Sequence, residues 1–296
     1  MSRRRISAVV TALVLGAAVP VVLPAAPASA AACSSYPSWV AGRSYVTGDI
    51  VRYTDGRAYI AEHDNPGYDP TISTWYWEPY ACDNGPGTPV GTFVVSEAQF
   101  NQMFPGRNSF YTYSGLTAAL RAYPGFADTG SDTVKKQEAA AFLANVSHET
   151  GGLVHVVEQN TANYPHYCDW SRPYGCPAGQ AAYYGRGPIQ LSWNFNYKAA
   201  GDALGIDLLG NPWLVQNDAA VAWKTALWYW NTQSGPGTMT PHNAMVNGAG
   251  FGQTIRSING SLECDGKNPA QVQSRVTKYQ QFAQILGVSP GGNLYC

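Results

Sequence analysis

Two glutamates near the middle of the sequence have the spacing and the neighbours of a pair of catalytic carboxylates. Glu149 comes just before Gly151 and Gly152, and Glu158 follows nine residues after Glu149. Hydrolysis of a glycosidic bond needs one carboxylic acid that protonates the leaving oxygen and a second carboxylate that activates water or attacks carbon. The two residues therefore indicate glycoside hydrolysis, with Glu149 as the general acid and Glu158 as the candidate general base.

The pattern before Glu149 explains this division of roles. Phe142, Val146 and Glu149 recur at i, i+4 and i+7, so Glu149 falls on the apolar face near the end of a helix predicted over residues 132–149. An apolar setting disfavours the charged form of a carboxyl group and suits it to donate a proton. The two glycines that follow break the helix and let the chain turn along a cleft, so that Glu158 can face Glu149.

Two other interpretations of this segment carry less weight. His148-Glu149 begins the H-E-x-x-H pattern of zinc proteases, but the fifth position is Gly152, and His155 does not restore the spacing. An isolated glutamate such as Glu158 is more often a solvated surface charge than a catalytic group. We therefore expect no metal and no organic cofactor, and we expect His148 to pack or hydrogen-bond near Glu149 at the helix end.

The overall composition argues against two classes of partner. The formal net charge is −1, and charged residues make up 12% of the chain. Such a chain has no basic surface for nucleic acid and no polybasic patch for a membrane. Aromatic residues also make up 12%, with 19 Tyr and 9 Trp, and this excess of flat, amphipathic rings favours a neutral, ring-shaped ligand.

The first thirty residues have the pattern of a secretory signal. Three arginines at positions 3–5 precede an apolar stretch over residues 6–24, which leads to Ala28-Ser29-Ala30. A membrane anchor is the alternative, but three prolines interrupt the stretch and the small-residue exit suits cleavage. We therefore predict a signal peptide over residues 1–30 and a secreted, extracellular protein.

Six cysteines lie in the exported part of the chain, and an even number in an oxidising compartment predicts three disulfides. They are Cys33, Cys82, Cys168, Cys176, Cys264 and Cys296. Six cysteines allow fifteen pairings. Pairing of nearest neighbours is attractive, because Cys33 and Cys82 bracket one aromatic-rich block while the other four lie in a larger block.

These two blocks differ in their periodicity. Residues 45–53 and 57–61 are rich in β-branched and aromatic side chains and are separated by turn signals. We predict a small all-β module over residues 33–82, then a flexible linker over residues 83–91. From residue 92 onward the pattern is helical, and the clearest helices are predicted over residues 96–104, 115–122, 132–149, 218–230 and 270–286.

The predicted β-module resembles the small chitin- or cellulose-binding modules of secreted polysaccharide hydrolases. The matching positions are Trp39, Tyr45, Gly48-Asp49, Val51, Tyr53, Tyr59-Ile60-Ala61 and Trp75-Tyr76-Trp77-Glu78-Pro79. Many such modules carry adjacent tryptophans where this chain has residues 62–68. The rings expected in the core are Trp39, Tyr45 and Trp77. Flat aromatic faces stack on the C–H face of a sugar, and the candidates for that surface are Tyr59, Tyr68 and Trp75.

Residues 92–296 resemble the catalytic domain of family 19 chitinases through their whole length. The matching motifs are Phe110-Tyr111-Thr112-Tyr113, Tyr123-Pro124-Gly125-Phe126, Ala140-Ala141-Phe142-Leu143-Ala144, Ser147 to Gly152, Tyr184 to Ser192, Asn194-Phe195-Asn196-Tyr197, Ile258-Asn259-Gly260 and Leu262-Glu263-Cys264. The short stretch between Glu149 and Tyr183 is similar to the compact bacterial form. The resemblance implies a mainly α, lysozyme-like (α+β) catalytic domain with two lobes and a deep cleft.

The same resemblance implies inversion by single displacement, with Glu149 as acid, Glu158 as base and Ser192 holding the water. The candidate substrate-binding residues are His148, Tyr183, Gln190, Asn196 and Asn259, with Glu263 supporting the charge network of the cleft. An arginine common in the last helix of relatives is Lys278 here, which leaves open whether Lys278, Arg186 or Arg275 partners the carboxylates. The implied disulfides are Cys168–Cys176 and Cys264–Cys296, leaving Cys33 with Cys82.

Residues and resemblance together predict a secreted, monomeric endo-chitinase that cuts β-1,4 bonds between N-acetylglucosamine units. Its expected partners are chitin and chito-oligosaccharides, with no nucleic acid and no membrane. Inhibition of fungal growth is an expected consequence, because hyphal walls expose chitin. Two alternatives are a peptidoglycan hydrolase, whose substrate sugars overlap, and a non-catalytic chitin lectin, which would be expected to lack one carboxylate.

Overall fold

The computed structural model describes residues 33–54, 57–73, 75–80 and 93–296. The predicted signal peptide and the predicted linker lie outside these residues. Cys82 also lies outside them, so the predicted Cys33–Cys82 pairing is not part of the described structure. Within the described residues, no helix is both long and apolar enough to cross a membrane.

The N-terminal part is a three-stranded antiparallel sheet in the order β1-β2-β3. The strands are β1 (Ile50–Arg52), β2 (Ala58–Ala61) and β3 (Trp77–Tyr80). The register pairs Ile50 with Ile60 and Ala61 with Trp77. A small aromatic core fills one side, and its buried members are Tyr45, Val51, Tyr59, Ala61 and Trp77. The indole N–H of Trp77 donates to the carbonyl of Tyr68 at 2.8 Å, so the buried ring has no unpaired donor.

One of the three rings predicted on the surface of this sheet is buried instead. Tyr59 lies within β2 and is 1% exposed, so it cannot stack on a ligand, and that prediction is wrong. Its period-2 position turns it into the aromatic core, and the guanidinium of Arg121 lies 4.6 Å from its ring centroid. Tyr68 and Trp75 are exposed, at 51% and 67%. Trp75 stacks on His63, and Tyr68 stacks on Tyr76.

The larger part is helical, as the sequence predicts. Its α-helices within residues 93–296 are α1 (Glu97–Met103), α2 (Tyr113–Ala119), α3 (Asp132–Thr150), α4 (Asn194–Leu204), α5 (Leu214–Asn217), α6 (Ala219–Thr232), α7 (Pro241–Val246), α8 (Phe251–Glu263) and α9 (Pro269–Ile285). Short 3-10 turns lie at Leu120–Ala122, Thr161–Tyr167 and Gln180–Ala182. The result is a mainly α body beside a small β-sheet.

Helix α3 is the centre of this body. Ser131 caps its first turn by accepting from the backbone N–H of Val134, and Gly151 ends it in the left-handed conformation, with a φ of 62°. Residues 138–147 are all buried, and α3 packs along α9. Glu149 therefore lies in the last turn of a helix whose position is fixed on every side.

A buried carboxylate on α3 ties three neighbouring segments to it. Glu138 is fully buried and accepts from the backbone N–H of Ala127 and from the indole of Trp230 on α6, both at 2.9 Å. Nδ1 of His242 on α7 lies 2.6 Å from the same carboxylate. That hydrogen bond with Glu138 raises the pKa of His242 above its ordinary value. A buried carboxylate with three partners is satisfied, and it holds α3 in register with α6 and α7.

The β-sheet and the helical body touch through a buried amine. Lys224 on α6 is 8% exposed and donates from Nζ to the carbonyl of Thr71 at 2.7 Å. Burial lowers the pKa of Lys224, as expected for an ammonium group removed from water. Ile72 packs against the main helical core beside this contact.

Two disulfides predicted for the helical part are present. Cys168 pairs with Cys176 inside one loop, and Cys264 at the end of α8 pairs with Cys296. The second bond fixes the C-terminal segment against α8. Gly252 has no room for a side chain, because a Cβ there would lie 2.0 Å from the carbonyl oxygen of Tyr295.

Candidate active site

A cavity of about 540 Å³ opens beside the end of α3. Glu149 and Glu158 both line it, as do the other predicted site residues Gln190, Ser192, Asn196 and Asn259. Further residues on its wall include His155, Tyr167, Trp193 and Tyr229. The chain thus brings into one cavity two carboxylates that lie on either side of the glycine break.

Glu149 is held by a buried arginine. Arg275 on α9 is 1% exposed and donates from Nη2 to Oε1 of Glu149. The same guanidinium donates from Nε and Nη2 to the two oxygens of Glu263, each at 2.8 Å. Its Nη1 donates to the side-chain oxygen of Asn145 at 3.1 Å. We call Asn145, Glu149, Glu263 and Arg275 the arginine cluster.

The arginine cluster answers which cation partners the carboxylates. Arg275 holds Glu149 and Glu263. Lys278 is exposed instead, and its Nζ lies 3.4 Å from the side chain of Gln281. Arg186 is buried elsewhere, where it donates to Gln216 and Tyr197. The two-pronged contact with Glu263 needs the planar fork of an arginine, which a lysine does not supply.

Burial and the charges of the arginine cluster shift the pKa values of Glu263 and of two neighbouring residues. Burial opposes ionisation of Glu263, but the hydrogen bonds and charge of Arg275 outweigh it and hold the pKa of Glu263 below its ordinary value. Burial, and then the charge of Arg275, lower the pKa of His148. Burial and then the charge of Glu149 raise the pKa of Tyr229 to about 12.

Glu158 is held by neutral groups. Its Oε1 accepts from the amide of Asn163 at 2.8 Å and from the phenol of Tyr167 at 3.0 Å. Its backbone N–H donates to the carbonyl of Gly185 at 2.8 Å, and the backbone N–H of Gly185 lies 3.4 Å from Oε2. Burial and then the hydrogen bond to Glu158 raise the pKa of Tyr167 to about 12, so this phenol remains a donor at neutral pH. No cation holds Glu158 among these contacts.

A stack of flat groups supports the backbone at Glu158. The hydroxyl of Tyr164 donates to the carbonyl of Glu158 at 2.9 Å. The Tyr164 ring stacks on Tyr184 with centroids 3.6 Å apart, and the guanidinium of Arg186 lies 3.6 Å from the centroid of Tyr184. Arg186 therefore acts from within the fold, through a cation–π contact, and not as the partner of a cavity carboxylate.

A strained turn that leads into α4 builds a further part of the cavity wall. Gln190 and Trp193 both have positive φ, at 51° and 74°, while Arg186 and Leu191 exchange backbone hydrogen bonds. The amide nitrogen of Gln190 donates to the carbonyl of Gly187 at 3.0 Å, and that of Asn196 donates to the carbonyl of Ser192 at 2.9 Å. The turn presents Ser192 to the cavity between these two fixed amides.

Asn259 reaches the cavity through a break in helix α8. Its φ of −145° and ψ of 27° are not helical, although α8 continues on both sides. The amide nitrogen of Asn259 donates to Oε1 of Glu263 at 2.7 Å. This contact links the cavity wall to the arginine cluster.

Two residues predicted to bind substrate, His148 and Tyr183, do not line the cavity, and neither does Glu263, which was predicted to support the charge network. Tyr183 is fully buried, and its hydroxyl donates to the carbonyl of Leu209 at 2.8 Å, so it is a core residue and the prediction is wrong. His148 turns toward α9, where its Nδ1 lies 3.2 Å from the hydroxyl of Ser274. Glu263 is 3% exposed and acts on the cavity only through Arg275 and Asn259. The corrected substrate-facing set therefore lacks all three.

Sequence reasoning did not select several residues that the fold places at the site. They are Asn145, Asn163, Tyr167, Trp193 and Tyr229. Asn163 and Tyr167 follow Glu158 closely in the chain, and that proximity was the available signal. Asn145 has a weaker signal, since it lies four residues before Glu149 on the same helix face.

The donor set of the cavity does not suggest a metal. Within the described residues, no group of three or more His, Cys, Asp or Glu side chains is placed to hold a metal ion. The chemistry available is proton transfer between carboxylates and a bound ligand, with hydrogen bonding from amides, phenols and one hydroxyl. Two carboxylates with different partners in one cavity are suited to act as an acid and a base.

Comparison with known proteins agrees with this geometry. A family model described as Chitinase class I (Glyco_hydro_19) matches residues 94–296. Endochitinase B of Zea mays is 50% identical over 192 residues, which are 64% of this chain and 64% of the maize chain. The match thus spans slightly less than two thirds of that relative. Acidic endochitinase of Dioscorea japonica is 41% identical over 226 residues, or 74% of this chain and 86% of the relative.

Solved structures give the same result. The crystal structure of a bacterial family 19 chitinase is 85% identical, with a TM-score of 0.68, and covers 69% of this chain and 100% of that chain. Chitinase C from Streptomyces griseus HUT6037 is 77% identical, with a TM-score of 0.69, and covers 71% and 100%. Since the family model spans more than half of the sequence, the chain belongs to the class I chitinases of glycoside hydrolase family 19.

Proposed function

We propose that this protein is a secreted endo-chitinase that hydrolyses β-1,4 bonds between N-acetylglucosamine units and inverts the anomeric carbon. The observation that carries the proposal is that Glu149 and Glu158 line one cavity while their partners differ in charge. Family membership supports chitin as the substrate class. The roles of the individual residues are our inference from the contacts around each of them.

Glu149 is the general acid. Arg275 already has its charge balanced by the two-pronged contact with Glu263, so it does not need Glu149 as its counterion. Glu149 can therefore carry a proton into the cavity and lose it to the leaving oxygen without leaving Arg275 as an unpaired buried cation. Its partly exposed carboxyl group, at 19%, is accessible to a sugar chain in the cavity.

Glu158 is the general base. Hydrogen bonds from Asn163 and Tyr167 fix its Oε1, and both donors are neutral. A carboxylate held only by neutral donors keeps its charge available for a proton from water. Ser192 lines the same cavity, which supports a role in holding that water, and the water attacks the sugar carbon opposite the leaving group.

Sugar contacts come from the amides on the cavity wall. The amide nitrogens of Gln190, Asn196 and Asn259 are each bound within the protein, which fixes the orientation of each side chain. Among the described residues, the amide oxygens of Gln190 and Asn196 have no hydrogen-bond donor, so they can accept from hydroxyl and N-acetyl N–H groups. Trp193 adds an aromatic surface beside them.

The stereochemical course tests the assignment. Chitin hexasaccharide is digested by the wild type and by Glu149→Gln and Glu158→Gln, and NMR follows the anomer first released. We expect the α-anomer from the wild type, no cleavage by Glu149→Gln and nearly none by Glu158→Gln. Release of the β-anomer would contradict inversion, and a fully active Glu149→Gln variant would contradict the acid assignment.

The β-sheet is proposed to be a chitin-binding module, followed by a linker over residues 83–91. Trp75 and Tyr68 are its corrected candidates for sugar stacking, since both are exposed and each is braced by a second ring. Trp75→Ala should weaken binding to insoluble chitin about fivefold, with little change on soluble oligomers. Trp213→Ala is the matched control on the helical body, and equal losses in both variants would contradict the proposal.

We further propose that the protein is exported and acts as a monomer. The pattern over residues 1–30 and the two described disulfides support export to an oxidising compartment. Mass spectrometry of the N-terminus after secretion, with sedimentation of the mature chain, tests both statements. An intact Met1 on the secreted chain, or a concentration-independent dimer, would contradict them.

A further inference from the structure

The most informative group outside the cavity lining is a fully buried amide one helical turn before Glu149. Asn145 on α3 has no exposed surface. Its nitrogen donates to the carbonyl of Ala141 and to the hydroxyl of Thr254 on α8, both at 3.0 Å. That hydroxyl in turn donates to the carbonyl of Phe251 at 2.7 Å, so it must accept from Asn145. The amide nitrogen is fully used, and this fixes its oxygen toward Arg275.

The oxygen accepts one of the four hydrogen bonds that the buried guanidinium donates. An arginine has five N–H donors. Four of those of Arg275 meet the two oxygens of Glu263, one oxygen of Glu149 and the oxygen of Asn145. Glu263 holds one edge of the guanidinium, and Asn145 holds Nη1 on another. With Glu263 and Asn145 both bound, the guanidinium plane of Arg275 is kept from rotating about its contact with Glu263. Its Nη2 therefore stays directed at Glu149.

We propose that Asn145 is a positioning residue for Glu149, acting through Arg275. Asn145 touches neither the cavity nor Glu149, and this inference rests on the proposed role of Glu149 as the acid. A neutral amide suits this place, because it accepts from Arg275 without adding a third negative charge to Glu149 and Glu263. His148 and Tyr229 are the other titratable groups that interact with the cluster, and neither contacts the Asn145 amide.

Asn145→Leu is the first test, because leucine is similar in size and removes the acceptor. We expect kcat on a soluble chito-oligosaccharide to fall about tenfold, the loss that corresponds to one hydrogen bond to a charged group. KM should stay within about twofold, since Asn145 does not line the cavity. Wild-type kcat in a folded Asn145→Leu variant would overturn the proposal.

Asn231→Leu is the matched control. Asn231 on α6 makes the same local bond, from its amide nitrogen to the carbonyl of Leu227 four residues earlier, at 2.7 Å, but it contacts no member of the arginine cluster. A merely structural role for Asn145 predicts that kcat follows thermal stability in both variants. Positioning predicts that kcat falls for Asn145→Leu alone, when each variant is assayed well below its own Tm.

Asn145→Gln keeps the proposal testable even where the leucine variant does not fold. Glutamine keeps a neutral amide whose oxygen can accept from Nη1, so kcat should remain within about threefold of the wild type. A folded Asn145→Gln variant that loses kcat as fully as the leucine variant would overturn the inference. Glu149→Gln separates the two proposals: if it stays active, the acid assignment fails, whereas an inactive Glu149→Gln with unaffected Asn145 variants removes the positioning role alone.

Discussion

Glu149 and Glu158 face the same cavity, yet the protein holds them by different means. Glu149 meets a buried cation supplied by a helix 126 residues further along the chain. Glu158 meets neutral donors that lie five and nine residues away. The first carboxylate depends on how helices pack, and the second depends on how one loop folds. The two roles proposed for these glutamates thus rest on partners that differ in charge and in origin.

The largest expected effect comes from removing the cation. Arg275→Leu leaves Glu149 and Glu263 without their shared partner in a buried setting, so the free energy of unfolding should fall by about 3–5 kcal/mol. Unfolding of the wild type and the variant in denaturant measures this difference in free energy. Lys278→Leu on the same helix is the control and should change stability by less than about 0.5 kcal/mol, because Lys278 is exposed. Equal losses of unfolding free energy in both variants would contradict the view that Arg275 is the cation that holds Glu149.

A smaller effect is expected on the Glu158 side. Tyr167→Phe removes one neutral hydrogen bond to Glu158, the proposed base, which should lower kcat/KM about five- to tenfold. Stability should change little beside the Arg275 variant, since no buried charge is left unpaired. Tyr295→Phe, which loses only an exposed contact with Gln273, is the control. A Tyr167→Phe variant as unstable as Arg275→Leu would contradict the contrast between a charged partner for Glu149 and neutral partners for Glu158.

The smallest effect is a pH dependence confined to the Glu149 side. Burial and Arg275 lower the pKa of His148 in the folded protein, so the unfolded chain binds a proton more readily near pH 6.5. This histidine therefore reduces stability as pH falls through about 6.5 toward its folded value. His148→Asn should flatten the unfolding free energy over that interval, as measured by urea titration at several pH values. An unchanged slope would show that the histidine proton is not linked to folding.

Sequence reasoning reached further on local features than on packing. The helix predicted over residues 132–149 is observed at Asp132–Thr150, because its cap and its glycine stop are both local signals. Helices α4, α5, α7 and α8 were not predicted. In α8, glycines and a break at Asn259 weaken the local pattern, and contacts such as that between Gly252 and the C-terminal segment stabilise it instead.

The same contrast applies within the site. Glu149 and Glu158 were selected because they lie close together in the chain, Ser192 was selected from the family resemblance, and all three line the cavity. The choice between Arg275 and Lys278 needed the packing of α9 on α3. Residues three apart lie on nearly the same side of a helix, so the spacing alone does not show that Arg275 is buried and Lys278 exposed. Tyr183 failed for a similar reason: neighbouring tyrosines point to different sides, and only Tyr184 takes part in the stack beside Glu158.

The Cys264–Cys296 disulfide has a practical consequence for recombinant production. Cys264 directly follows Glu263, so the bond fixes the helix end that carries one partner of Arg275. In the reducing cytosol of an expression host this bond does not form readily. Protein made there would lack the covalent tie beside the arginine cluster, so we expect export to a periplasm or a secretory pathway to give the protein with this bond intact.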